Sequence, residues 1–179
     1  EGIELVIAID VSNSMLTEDV TPNRLARAKQ ILSRLIDVRS SDKVGLIVFA
    51  GEAYVQMPLT SDTQSAKIFL NTIDPSLVPI QGTAIGDAIN LGMTSFSSDQ
   101  SASRSIVVIT DGEDHEGNAI EIAASVAKEG VQVNVIGIGS PNGAPIPSVE
   151  FGSQFMTDSE GNVVVSRLNE QMGMEIAQS

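Results

Sequence analysis

The chain has 179 residues, of which 42% are apolar and only 3% aromatic, and it carries a net charge of −13. We expect one domain over residues 1–179 with an aliphatic core. The absence of cysteine excludes disulfides and thiolate metal sites, and the negative charge argues against nucleic acid as a partner.

The first predicted element is a buried strand that ends in oxygen-bearing side chains. The apolar run from Leu5 to Ile9 shows no polar alternation, which predicts a strand covered on both faces. Asp10, Ser12 and Ser14 follow it at alternate positions. Because oxygen ligands of this kind suit a hard divalent cation such as Mg²⁺ or Mn²⁺, this turn is a candidate metal site.

A basic amphipathic helix is predicted next. Thr21 and Pro22 indicate its start, with Thr21 as the N-cap, and apolar residues then recur at helical spacing. Six of the ten basic residues lie between positions 24 and 43, and we expect Arg24 and Arg27 to face solvent with most of the others.

The remaining elements alternate between apolar runs and amphipathic segments. Buried strands are predicted at 44–49, 105–110 and 131–138, with a shorter strand at 54–59 whose Pro58 favours a sheet edge. Helices are predicted after Asp62, after Thr83, over 118–128 and over 167–177. Residues 139–147 are expected to be irregular, and residues 158–161 to form the turn of a hairpin.

This alternation predicts an α/β fold: a doubly wound, mostly parallel central sheet flanked by helices, with one antiparallel edge strand. Ligands of such sheets bind beyond the carboxyl ends of the strands, where the strand order reverses. Asp10 and Asp111 both follow buried strands directly. The predicted fold and the oxygen-bearing side chains therefore indicate the same site, at the carboxyl ends of the strands that precede Asp10 and Asp111.

Five residues in order, Asp10, Ser12, Ser14, Thr83 and Asp111, resemble the metal-ion-dependent adhesion site of von Willebrand factor A domains, whose fold is Rossmann-like. The resemblance to A domains covers nearly the whole chain. A second and more specific resemblance is to the bacterial Bat aerotolerance proteins. The segments that carry this second resemblance are 10–15, 23–29, 45–51, 110–115 and 137–140.

The resemblance implies a binding module and not an enzyme. In it, Ser12, Ser14 and Thr83 coordinate Mg²⁺ or Mn²⁺, while Asp10 and Asp111 act mostly through water. Neutral direct ligands leave an open, positively charged position that a partner's carboxylate can fill. The implied partners are other Bat-type proteins. The implied setting is a domain excised from a protein of the bacterial inner membrane, on the periplasmic side, with the membrane segments outside this chain.

Other interpretations stay open at the level of sequence. The same acidic site could serve a Mg²⁺-dependent phosphoryl or ester hydrolase with Asp10 as nucleophile, or the ion could only tie the strand ends together. Each residue also has a local alternative: the two serines could satisfy backbone donors, Thr83 could be only a helix cap, and Asp111 could be only part of a turn.

A second set of possible ligands follows Asp111. Asp114, His115 and Glu116 lie close behind it in sequence. We weigh this set lower because metal sites built on histidine usually recruit several of them. Glu113 and Asp114 are expected to shape the local potential instead.

Overall fold

A computed structural model describes residues 2–98, 101–114, 117–148 and 152–179. The strands in these residues are β1 (Ile3–Asp10), β2 (Lys43–Phe49), β3 (Ala53–Thr60), β4 (Ser103–Thr110), β5 (Val131–Gly137), β6 (Ala144–Pro145) and β7 (Val165–Ser166). The helices are α1 (Arg24–Val38), α2 (Thr63–Asn71), α3 (Ile85–Thr94), α4 (Ala119–Lys128) and α5 (Glu170–Gln178). Within the described ranges, no helix is long and apolar enough to cross a membrane.

Five strands form one twisted sheet in the order β3-β2-β1-β4-β5. β1, β2, β4 and β5 run parallel, and β3 pairs antiparallel with β2 at one edge. This confirms the predicted fold class, including the antiparallel edge strand. The chain leaves β1 toward β2 on one side and later returns to pair β4 on the other. The strand order therefore reverses between β1 and β4, where the predicted metal residues lie.

Both faces of the sheet are covered, which explains the unbroken apolar runs in its strands. Ile7 and Ile9 of β1 pack with α1 and α2 on one face. Val6 and Ala8 point to the opposite face, where they join α3, α4 and Ile176 of α5. All four β1 side chains are fully buried. A strand with helices on both sides has no solvated face, so it shows no alternation.

The start of α1 differs from the prediction in two ways. The N-cap is Asn23, whose side chain accepts the Ala26 N–H at 2.8 Å, and not Thr21, which precedes a cis peptide to Pro22. Arg24, predicted to face solvent, is fully buried. Arg27 on the same helix is exposed, as expected.

Between β5 and α5 the chain forms a small antiparallel unit beside the main sheet. We call residues 140–148 and 152–168 the accessory segment. β6 pairs with β7, so the prediction that 139–147 would be irregular is wrong at Ala144 and Pro145. The predicted turn is present, since the Gly161 N–H donates to the Asp158 carbonyl at 3.1 Å. α5 begins at Glu170, later than predicted, because the Asn169 side chain caps it by accepting the Met172 N–H.

Candidate metal site

Asp10, the last residue of β1, organises a buried cluster of oxygen atoms. Its Oδ1 accepts the Ser12 N–H at 2.9 Å and the Ser12 hydroxyl at 2.6 Å. Its Oδ2 accepts the Thr110 hydroxyl at 2.7 Å. The hydroxyl oxygens of Ser12 and Ser14 are 3.0 Å apart. Three of the five predicted ligands thus form one hydrogen-bonded group.

Asp111 follows β4 directly and is also fully buried. The bond from Thr110 to Asp10 joins the ends of β1 and β4, which brings the two carboxylates to the same edge of the sheet. Asp111 Oδ1 accepts the Glu113 N–H at 3.3 Å, and its Oδ2 accepts from Arg24 Nη1 at 2.9 Å. The predicted approach of the two aspartates through adjacent strands is therefore present.

Thr83 lies in the loop that precedes α3 and is buried. The Asn13 N–H donates to Gln81 Oε1 at 3.2 Å, which holds that loop near Ser12 and Ser14. The Ala84 N–H donates to the Ala50 carbonyl at 2.7 Å, which holds the loop to the end of β2. In the part of the chain that the structure describes, no hydrogen bond joins the Thr83 hydroxyl to the other four predicted ligands. Its role as a ligand stays a prediction.

The electrostatics of the cluster favour a bound cation. Burial, and then the negative charge of Asp111, raise the pKa of Asp10 to about 7, against the opposing effect of hydrogen bonds from Ser12 and Thr110. Two buried carboxylates that repel each other are relieved by a proton or a metal ion. The available donors are hydroxyl and carboxylate oxygens, which fit Mg²⁺ or Mn²⁺. Among the described residues no group of three His, Cys, Asp or Glu side chains forms a metal site, so a site here depends on the hydroxyls.

Sequence reasoning missed Arg24 as a residue of this site. Its guanidinium forms ion pairs with Asp19 at 2.7 Å and Asp111 at 2.9 Å, and its side chain is completely enclosed. One signal could have found it. Arg24 is the first residue of α1, and the positive end of a helix dipole disfavours a cation unless nearby anions hold it.

The acids behind Asp111 have other contacts. Glu113 Oε1 accepts the Ser166 hydroxyl at 3.0 Å. Asp114 Oδ2 accepts the Ala119 N–H at 3.4 Å, at the start of α4. His115 and Glu116 lie outside the described residues. Any contact of these acids with a metal stays untested.

The chain is similar to known proteins over most of its length. The family model described as von Willebrand factor type A domain matches residues 5–113. The chain is 56% identical to BatB from Bacteroides thetaiotaomicron, with a TM-score of 0.94 over 99% of this chain and 86% of that one. It is also 56% identical to an aerotolerance-related membrane protein from Bacteroides fragilis, with a TM-score of 0.95 over 99% of this chain and 87% of that one. These similarities bear out the resemblance to Bat proteins.

More distant matches share the fold or part of the length. Manganese-loaded TRAP protein from Plasmodium vivax is 18% identical, with a TM-score of 0.72 over 99% of this chain and 63% of that one. An uncharacterized protein from Borreliella burgdorferi is 30% identical over 159 residues, which are 86% of this chain but only 44% of that protein. The chain thus spans less than half the length of that curated relative.

Proposed function

We propose that this chain, which belongs to the von Willebrand factor type A domain family, is a metal-dependent module that binds an acidic residue of a partner protein. One observation carries the proposal. Two serine hydroxyls 3.0 Å apart and two buried carboxylates meet where the strand order reverses between β1 and β4. This position is the usual ligand site of doubly wound sheets.

In this proposal Ser12, Ser14 and Thr83 hold Mg²⁺ or Mn²⁺ directly, and Asp10 and Asp111 hold it through water. The cation supplies an uncompensated positive charge with an exchangeable position, which a partner's carboxylate fills. The manganese carried by the TRAP protein, which shares the fold, supports the choice of a divalent ion.

The alternative of a phosphoryl or ester hydrolase is disfavoured by the surroundings of Asp10. A nucleophilic carboxylate needs a free oxygen that a substrate can reach. Asp10 is fully buried, and both of its oxygens accept hydrogen bonds from Ser12 or Thr110. We therefore propose a binding role, and we expect no turnover of generic phosphate esters in the presence of Mg²⁺.

The similarity to two Bacteroides proteins supports the proposed cellular setting. One is called BatB and the other an aerotolerance-related membrane protein. We propose that this domain belongs to a Bat-type protein of the bacterial inner membrane, is exposed to the periplasm, and binds other Bat-type proteins.

The test is capture of a partner from bacterial membrane extract by the immobilised domain, in Mg²⁺ and in chelator. We expect capture in Mg²⁺ only, and loss of capture with Asp10→Ala. Thermal unfolding is measured in parallel, because an ion that only ties strand ends together would change stability and leave capture intact. Arg27→Ala is the control, since Arg27 is exposed on α1 and its described side-chain bond is to Gln30.

A further inference from the structure

We infer that Arg24 is a positioning residue that fixes Asp111 and ties the metal site to the accessory segment. The inference rests on the proposed function, because the effect that it assigns is on cation affinity. Arg24 is enclosed by protein and points to no open position. It therefore acts on the bound ion through Asp111, and also through the Ser14 carbonyl, which accepts from Arg24 Nη1 at 3.5 Å.

Every N–H donor of the Arg24 guanidinium has a partner. Nε and Nη2 donate to the two carboxylate oxygens of Asp19, at 2.9 and 2.7 Å. Nη1 donates to Asp111 Oδ2 at 2.9 Å and to the Ser166 hydroxyl at 2.7 Å, and Nη2 also donates to the Ser166 carbonyl at 3.2 Å. A lysine ammonium lacks this planar fork and cannot make the same set of bonds.

The backbone around the guanidinium is shaped to receive it. Gly139, two residues after the end of β5, has a φ of +134°. A Cβ atom built there would lie 2.8 Å from Arg24 Nε and 2.9 Å from its Cζ. The position is therefore restricted to glycine by both its conformation and the side chain that packs on it.

The bonds of Arg24 join parts of the chain that are distant in sequence. Asp19, which Arg24 holds, also accepts the Ser140 N–H at 2.7 Å. Directly after the accessory segment, the Asn169 N–H donates to the Asp111 carbonyl at 2.8 Å. Asp111 is thus connected to the accessory segment through its side chain, and to the residue that follows that segment through its main chain.

The orientation of Asp111, more than the charge of Arg24, should determine the effect on the cation. Asp19 pairs with the guanidinium through both carboxylate oxygens and compensates its charge locally. What remains is the fixed direction of Asp111, whose Oδ2 accepts from Arg24 Nη1 at 2.9 Å and from the Ser166 hydroxyl at 3.4 Å. Residues that orient a metal's ligands without touching the metal typically change its affinity by about 10- to 100-fold. Linkage makes the effect mutual, so the cation should also order the accessory segment.

Two variants and two controls test this with Mn²⁺ alone as the probe. Arg24→Lys keeps the positive charge and loses the planar set of guanidinium N–H donors. Ser166→Ala leaves the charges unchanged and removes a hydroxyl that helps to hold Asp111, since it accepts from Arg24 Nη1 at 2.7 Å and lies 3.4 Å from Asp111 Oδ2. Arg27→Lys and Ser153→Ala alter exposed residues of α1 and of the accessory segment. Calorimetry on the folded proteins should show Mn²⁺ affinity weakened about 10- to 100-fold in both variants and unchanged in the controls.

A second readout is amide exchange. In the wild type, Mn²⁺ should slow hydrogen exchange at the Ser140 and Asn169 amides, and Ser166→Ala should reduce that protection. If Arg24→Lys does not fold, Ser166→Ala decides the question. If the wild type binds Mn²⁺ and Ser166→Ala binds it with an affinity within twofold of the wild type, this inference is overturned and the proposed function is not. A wild type that binds no Mn²⁺ would overturn the proposed function and this inference with it.

Discussion

Asp10→Asn should stabilise the metal-free protein at pH 8 while it removes cation binding. Burial and the charge of Asp111 raise the pKa of Asp10 from 3.8 to about 7, so the ionised carboxylate costs about 4 kcal/mol of folding free energy above pH 7. The neutral amide avoids this cost. It keeps an oxygen for Ser12 but gives up the bond that Oδ2 accepts from Thr110, a loss of about 1 kcal/mol. The net gain in the free energy of unfolding is therefore about 3 kcal/mol.

The pH dependence distinguishes this explanation from a general packing effect. Because the folded-state pKa is raised, the folded wild type binds the proton more tightly than the unfolded chain. This contribution to wild-type stability falls as the pH rises from about 4 to 7, and then levels off. Urea unfolding of both proteins in chelator should show the advantage of Asp10→Asn at pH 8 and its loss near pH 4. If the variant were the less stable protein at both pH values, this account of Asp10 would be refuted.

Two further predictions concern packing. Gly139→Ala should lower the free energy of unfolding by about 2 to 4 kcal/mol, because its Cβ meets Arg24 at a positive φ. Gly161→Ala, also at positive φ but with open space around it, should cost only about 1 kcal/mol. Leu32→Ala, in the core beneath α1, should cost about 2 to 5 kcal/mol, whereas Val38→Ala, at an 80% exposed position of the same helix, should stay within about 0.5 kcal/mol. Urea unfolding at neutral pH measures the free energy of unfolding of all four variants. Equal losses of stability in the two glycine variants, or in the Leu32 and Val38 variants, would contradict the packing argument.

The sheet and the two aspartates could be predicted because their signals are local. Unbroken apolar runs identify strands buried on both faces, and Pro58 identifies the edge strand β3. A carboxylate that follows such a strand must lie at the carboxyl edge of the sheet. The sequence therefore places Asp10 and Asp111 at the same edge of the sheet.

Arg24 was not placed in the same way, because two of its partners, Asp111 and Ser166, are far from it in sequence. Its partners Asp19, Asp111 and Ser166 come from three separate segments, and helical spacing alone puts an arginine on the surface. β6 was missed for a related reason. It has only two residues, so it leaves no periodic pattern in the sequence.

The central claim is that this site presents a metal ion to a partner's carboxylate. Bound Mn²⁺ speeds the relaxation of water protons through the waters that it coordinates, so relaxation reports whether another ligand displaces them. The measurement adds a short, C-terminally amidated peptide with one aspartate, or the same peptide with asparagine, to the Mn²⁺-loaded domain. We expect only the aspartate peptide to lower the enhancement of water-proton relaxation by bound Mn²⁺. The Ser12→Ala variant should show little enhancement even before a peptide is added. An enhancement that neither peptide changes would contradict the claim.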